Sequence, residues 1–566
     1  MKLLRWAVFL PTILLVACTP KSQSLPAGVA AQVDKVFAKW DKPDSPGCAL
    51  GVYQDGKIVY KRGYGMANLN DDVPITPATV FHVASMSKQF TAASIVLLAQ
   101  QGKLSLDDDV HKYIPELPDF GERITIQNLI HHTSGLRDQW ELLELAGWRY
   151  SLDLITDDDV MSVMTRQKEL NFKPGDKHMY CNTGYTLLGL IVKRVSGMSL
   201  REFTTKNIFE PLGMTHTHFR DDHAEIIKHD ALGYEQEGKD KPFRMSLTNF
   251  DTVGATSLHT TVEDLQLWDE NFYHPKVGGP AFLQQMLERG RLNNGEQLDY
   301  AFGLVVGKYK GLPTVDHGGA DAGYRSDLTR FPEQHFSAAV LCNSAETDPS
   351  GLVRQVADIV LAKDLKAAAP APAKETTKSS GAPLTAEQMA AIAGMYWNRG
   401  NDEFERAQVK DGKLEIELGG EFRTLKPAGE ASFHIANVPW GDEVELRFLP
   451  AAAEKPRRLE QSFGGGKPDT LEWVTAYEPT TTELAGYTGA YGSEEIDPVY
   501  RIGLQEGKLS LTRLKHKADT LRPTVRDVFT GDIGTVRFTR DANQRISGFI
   551  LNAGRIQNFH FTRRTD

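Results

Sequence analysis

The sequence predicts an α+β fold: an antiparallel sheet flanked by helices with a helical insert, followed by an all-β C-terminal region of two small barrels. Two strand-like runs, Cys48 to Tyr53 and Lys57 to Tyr60, flank Asp55-Gly56, a hairpin signal. Strands return late, at Leu304 to Tyr309, Tyr324 to Phe331 and Ser337 to Asn343, and an amphipathic helix from about Leu352 to Leu365 closes the unit. Between early hairpin and late strands, from about 140 to 235, the pattern is mainly helical, as in Tyr185 to Val195. Beyond Pro383 the helical pattern stops and short alternating strands separated by turns take over.

Taken in order, Met1 to Ala17 read as a signal sequence, with Lys2 and Arg5 ahead of the apolar run Trp6 to Val16. Leu15-Val16-Ala17-Cys18 resembles a bacterial lipobox, in which Cys18 is lipidated; an ordinary cleaved signal is the alternative. The apolar run is short for a membrane span and is broken by Pro11. Residues 18–30 read as a lipidated tether, leading to a first helix at Val33 to Trp40, and 31–366 as the α+β domain. Residues 367–384, rich in Ala, Pro, Lys, Ser and Thr, have almost nothing to bury and read as a linker. In the tail, Asp411-Gly412-Lys413-Leu414, Thr424-Leu425-Lys426-Pro427 and Phe433 recur as Glu506-Gly507-Lys508-Leu509, Thr520-Leu521-Arg522-Pro523 and Phe529. That repeat divides it into barrel-like units at 385–478 and 479–566, a single all-β domain being the alternative.

The chain of 566 residues is too long for one ordinary domain, and its net charge of −10 offers no footprint for nucleic acid. With Cys18 lipidated, Cys48, Cys181 and Cys342 remain, so at most one pair forms. No CxxC or HExxH spacing is present, and neither a metal nor a cofactor is expected.

The chemistry concentrates around Ser85-Met86-Ser87-Lys88, just before the apolar run Ala92 to Leu98 and Gly102. On a helix starting near Ser85, positions i and i+3 share a face, so the Lys88 amine lies beside the Ser85 hydroxyl. A lysine packed into a protein wall loses its charge readily and can take the serine proton. Free N–H groups at the helix start can stabilise an oxyanion. Asn171-Phe172-Lys173-Pro174-Gly175 makes a turn before Tyr180-Cys181-Asn182, which offers a phenol to pass protons and an amide to hold a substrate carbonyl. Tyr396-Trp397-Asn398 repeats that pattern without the Pro-Gly turn and reads as structural. His317-Gly318-Gly319-Ala320 precedes a strand; paired glycines admit a substrate backbone, and an N–H there can serve the oxyanion. Each piece alone has a plainer reading: an exposed helix start, a buried tyrosine, a hairpin turn with a capping histidine. Arg325 could meet a substrate carboxylate or be an exposed or structural arginine.

In this order the three pieces resemble the active-site signature of serine β-lactamases and penicillin-binding proteins, most closely the branch of class C β-lactamases, D-alanyl-D-alanine carboxypeptidases, D-aminopeptidases and esterases. Leu129-Ile130-His131-His132-Thr133-Ser134-Gly135-Leu136 and Thr260-Thr261-Val262-Glu263-Asp264-Leu265 add to the resemblance, which spans about residues 27 to 365. The tail is similar in pattern to that of D-aminopeptidases. The resemblance implies that Ser85 forms an acyl-enzyme, Lys88 and Tyr180 move protons, Asn182, His317, Gly318, Gly319 and Ala320 bind substrate, and the N–H groups of Ser85 and Ala320 form the oxyanion hole. His317-Gly318 replaces the Lys-Thr or Lys-Ser of the β-lactamase strand, removing the cation that meets a β-lactam carboxylate. Cys181 stands where a small hydroxyl residue or alanine is more usual. The expectation is a serine hydrolase of small-molecule or peptide substrates (an ester, amide or D-amino-acid peptide), facing the periplasm as an outer-membrane lipoprotein. A β-lactamase or DD-peptidase, and a non-catalytic envelope sensor, are the competing readings.

Overall fold

The computed structural model describes residues 24–238, 241–365, 384–418, 421–429, 431–435, 444–452, 456–463 and 468–564. The proposed signal sequence, Cys18 and nearly all of the linker lie outside the described residues.

The α+β domain is built on an antiparallel sheet ordered Val305–Tyr309, Leu312–Asp321, Tyr324–Phe331, Phe336–Cys342, Cys48–Gln54, Lys57–Tyr64. The N-terminal hairpin thus completes a sheet whose other strands come some 250 residues later. Cys48 and Cys342 are directly opposed in that junction and form a disulfide. Alternation along Cys48–Gln54 sends Cys48, Leu50 and Val52 to one face and Ala49 and Tyr53 to the other. The first face packs on Ala27–Phe37 and Pro349–Val360 through Val33, Phe37, Val353 and Val356. The second faces the helical layer that includes Lys88–Gln100, buried from Lys88 to Leu98, and Asn182–Ser196. A helix apolar all round needs protein on every side, so Lys88–Gln100 is fixed firmly against the sheet.

Several boundaries differ from the sequence reading. The first helix is Ala27–Phe37, earlier than Val33 to Trp40. The serine lies on a 3-10 turn, Ala84–Ser87, and the α-helix begins at Lys88. The helix after Tyr180 starts at Asn182 rather than Tyr185. His317 to Ala320 lie within a strand, Leu312–Asp321, and the turn falls at Ala322-Gly323.

Among its described residues the tail is all-β apart from two short helices, Ala386–Ile392 and Thr481–Ala485, each opened by a capping box, Thr385/Gln388 and Thr480/Glu483. Its second unit is a closed eight-stranded barrel from Gly489–Gly492 to Ile556–Arg564. Its first is a nine-stranded sheet among the described residues; its end strands, Glu421–Thr424 and Lys426–Gly429, are joined through Leu425, so the sheet curls back on itself. Tyr396 is in its core, with its hydroxyl on the Ile392 carbonyl at 2.7 Å, which accords with a structural role.

The closed barrel docks on the α+β domain. Arg137, 1 % exposed, donates to Glu495 at 2.5 Å, to Gln167 at 2.9 Å and to the Asn558 carbonyl at 2.9 Å. Tyr500 donates to the Leu145 carbonyl at 2.8 Å. Removing one partner of a buried ion pair strands the other, at a cost of about 3–5 kcal/mol. Glu495→Ala is therefore expected to give the barrel its own, lower-temperature calorimetric transition. Unchanged melting would show that Arg137 is not held by this pair.

Candidate active site

The site forms where the Ala84–Ser87 turn meets the free edge of the Leu312–Asp321 strand. The neighbouring strand Val305–Tyr309 pairs only as far as Asp316, so His317 to Ala320 have a partner strand on one side and the cleft on the other. Close approach of turn and strand depends on Gly319: a Cβ there would lie 2.3 Å from the Val83 carbonyl oxygen and 2.5 Å from Ser326 Oγ. Ser326 Oγ in turn donates to the Val83 carbonyl at 2.8 Å, and Ser87 Oγ to the Ala84 carbonyl at 2.5 Å. These bonds hold Ala84 at φ +49°, a left-handed conformation unfavourable for alanine, directly before Ser85.

Lys88 is fully buried, and its amine lies 3.0 Å from Ser85 Oγ, 2.8 Å from Asn182 Oδ1 and 2.8 Å from the Ala255 carbonyl oxygen. A neutral amine has two hydrogens and one lone pair. The two pure acceptors take the hydrogens, and the lone pair faces the serine hydroxyl. Burial lowers the Lys88 pKa to about 7, with the Asp138 carboxylate opposing and the Arg555 guanidinium assisting. Ala255 is delivered by Gly254, at φ +102°, where a Cβ would strike the Tyr185 carbonyl oxygen at 2.4 Å.

Asn182 is clamped between base and acid: Oδ1 accepts from Lys88, while Nδ2 donates to Asp138 Oδ2 at 3.0 Å. Asp138 is fully buried; it also accepts from the Asn182 N–H at 2.6 Å and the Trp140 N–H at 3.0 Å. Arg555, from the turn between the last two barrel strands, reaches Asp138 at 3.3 Å and Glu141 at 2.8 Å. A path of one ion pair and two hydrogen bonds therefore runs from the barrel through Asp138 and Asn182 to Lys88.

The Lys88 amine lies 4.8 Å from the centre of the Tyr180 ring. Burial raises the Tyr180 pKa, with the Ser85 hydroxyl opposing, so the phenol is neutral near pH 7 and suited to passing a proton. Its ring packs on His132 at 4.2 Å; His132 Nδ1 accepts the Cys181 N–H at 3.0 Å and so fixes the turn carrying Tyr180 and Asn182. Cys181 is buried and its thiol donates to the Leu136 carbonyl at 3.4 Å; burial pushes its pKa up to about 12, leaving it a protonated packing residue. His317 donates from Nδ1 to the Gly318 carbonyl at 2.6 Å and accepts at Nε2 from the Tyr300 hydroxyl at 3.0 Å. Burial lowers its pKa to about 4, so it meets the cleft neutral, with both ring nitrogens engaged.

The cleft encloses about 670 Å³ and brings together Ser85, Tyr180, Asn182, His317, Gly318, Gly319 and Ala320. Lys88 lies behind Ser85 in its wall. The sequence reading missed Asp138, Trp140, Tyr150, Ala255, Tyr300 and Arg555. Asp138 gave a helix N-cap signal just after Gly135-Leu136-Arg137; the others give no local signal. Asp222, His223 and Asp251 bring ligand atoms within 4.8 Å of one another, but none lines the cleft and His223 already bonds Asp251.

Since Lys88 accepts a proton only when neutral, acylation of Ser85 by a fluorophosphonate should rise about tenfold per pH unit below pH 7 and level off above it. A rate still climbing toward pH 10 would show an ordinary lysine.

A model of the family described as Beta-lactamase matches residues 33–363. The chain is 29% identical over 410 residues to penicillin-binding protein 4* of Bacillus subtilis, covering 70% of this chain and 88% of that one. It is 25% identical over 483 residues to a D-aminopeptidase of Gluconobacter oxydans, covering 84% of each. The fold is similar to that of an octameric penicillin-binding protein homologue from Pyrococcus abyssi, with a TM-score of 0.54 and 23% identity over 79% of this chain and 99% of that one. With the serine, lysine, tyrosine and glycine strand gathered on this fold, the chain belongs to the beta-lactamase family, within the superfamily of serine β-lactamases and penicillin-binding proteins.

Proposed function

We propose that the protein is a serine hydrolase that forms an acyl-enzyme on Ser85 and cleaves an ester, an amide or a D-amino-acid peptide in the cell envelope. The observation that carries this reading is the three-point setting of the Lys88 amine, with two acceptors for its hydrogens and its lone pair toward Ser85. Lys88 takes the hydroxyl proton as Oγ bonds to the carbonyl carbon. The N–H groups of Ser85 and Ala320 hold the resulting oxyanion. Collapse breaks the bond to the leaving group, which takes the proton through Lys88 and Tyr180, and water then repeats the sequence to release the acid.

A neutral His317 in place of a lysine leaves that position without a cation for a β-lactam carboxylate, which favours esters, amides and peptides over penicillins. Similarity to a D-aminopeptidase along 84% of the chain supports D-amino-acid substrates. The Cys48–Cys342 disulfide suits an oxidising compartment and so supports the envelope reading, together with the lipobox-like Leu15 to Cys18. Attachment through a lipid on Cys18 to the periplasmic face of the outer membrane is part of this proposal.

Mass spectrometry after separate exposure to a fluorophosphonate and to a penicillin tests the reading. The expected result is a fluorophosphonate adduct on Ser85, absent in Ser85→Ala and at least tenfold slower in Lys88→Ala, with little penicilloyl adduct. No adduct from either reagent would overturn it in favour of a non-catalytic protein.

A further inference from the structure

The cleft holds a cation that the reaction does not use. Arg325 lies opposite Ala320 in the strand pairing and lines the cleft, half-buried. Its Nη1 donates to the Ala322 carbonyl at 2.9 Å and the Tyr324 carbonyl at 2.7 Å, which fixes the side chain. Its Nε and Nη2 groups have no protein partner among the described residues.

The surrounding acids are each engaged elsewhere. Asp321 accepts from His82 at 3.0 Å, from Thr256 at 2.7 Å and from Tyr150. Asp348 caps the Pro349–Val360 helix through the Gly351 N–H at 2.9 Å. Glu346 accepts from the Gln236 N–H at 2.6 Å and from Ser344 at 3.0 Å. The other guanidinium in the cleft, Arg555, is held by Asp138 and Glu141. Arg325 presents open donors on a fixed mount, an arrangement that suits bidentate capture of a carboxylate.

The end of the cleft it occupies can be identified. Tyr180 packs against Tyr300, and Tyr300 bonds His317, so the proton-returning group lies at the His317 end of the strand. The leaving group needs that proton and must lie there. Arg325 is at the opposite end, with Ala320 and Asp321, beside a wall in which Trp140 stacks on Phe250 at 4.8 Å and Tyr150 stands edge-on to Trp140 at 5.4 Å. That end receives the acyl group.

We propose that the cleft selects acyl groups bearing a carboxylate, seated on Arg325 and packed against Trp140 and Tyr150. The inference rests on Ser85 being the nucleophile and names the substrate class of that site: anionic acyl donors, such as acidic amino-acid derivatives.

Aryl boronic acids test it, because a boronate bonds a nucleophilic serine and places its aryl group on the acyl side. A matched series carries a carboxylate or the isosteric carboxamide on spacers of increasing length. The carboxylate is expected to bind at least about tenfold more tightly at the best spacer, as suits a charge-assisted pair. Arg325→Gln should bring the ratio close to one, and Arg325→Lys should retain most of it. Fluorophosphonate labelling of Ser85 confirms that each variant is folded. A ratio near one in the unaltered protein, or one that persists in Arg325→Gln, overturns the inference while leaving the hydrolase reading intact. Failure of every boronate together with failure of fluorophosphonate labelling would overturn both.

Discussion

Burial of the Lys88 amine is the constraint on which the rest of the site depends. An ammonium ion in that position has one surplus hydrogen, which can go only to the Ser85 hydroxyl, and it is separated from water by the Lys88–Gln100 helix and its neighbours. The neutral amine fits without surplus, with Asn182 and the Ala255 carbonyl as its two acceptors. Desolvation therefore supplies what the chemistry needs, a base with a pKa near 7 beside a serine. The cost is met by packing: apolar side chains on every face of that helix, and glycines at 254 and 319 that let backbone approach where any Cβ would clash.

The C-terminal barrel belongs to this arrangement. Arg555 lies on a turn more than 460 residues after Lys88 in sequence, yet it is joined to the amine by way of Asp138 and Asn182. Asp138 faces both charges and so sets them against each other: its carboxylate favours a charged lysine, and Arg555 offsets that influence. The tail thereby acts on the electrostatics of the base as well as on the shape of the cleft. Arg137, buried beside it and paired with Glu495, fixes the barrel in place.

How much of this was legible in the sequence follows from the range of each interaction. Ser85 with Lys88 and the Asp55-Gly56 hairpin are set by contacts within a few residues, and spacing reveals them. The Tyr180 turn and the glycine strand were readable as motifs, although the strand was mistaken in part for a turn because paired glycines signal both. The Cys48–Cys342 pairing, the Ala255 carbonyl and Arg555 act across hundreds of residues and carry no periodic mark. The two tail units looked alike in sequence, but closure of a sheet depends on whether its end strands pair, which short repeated turns do not specify.

The central claim, that Lys88 is neutral near physiological pH, is tested most directly by NMR titration of its side-chain nitrogen, with the resonance assigned through Lys88→Arg. The account predicts a midpoint near 7, far below the ordinary lysine value of about 10.4. A midpoint above 9 would contradict it, since the amine would then be charged when the serine must give up its proton.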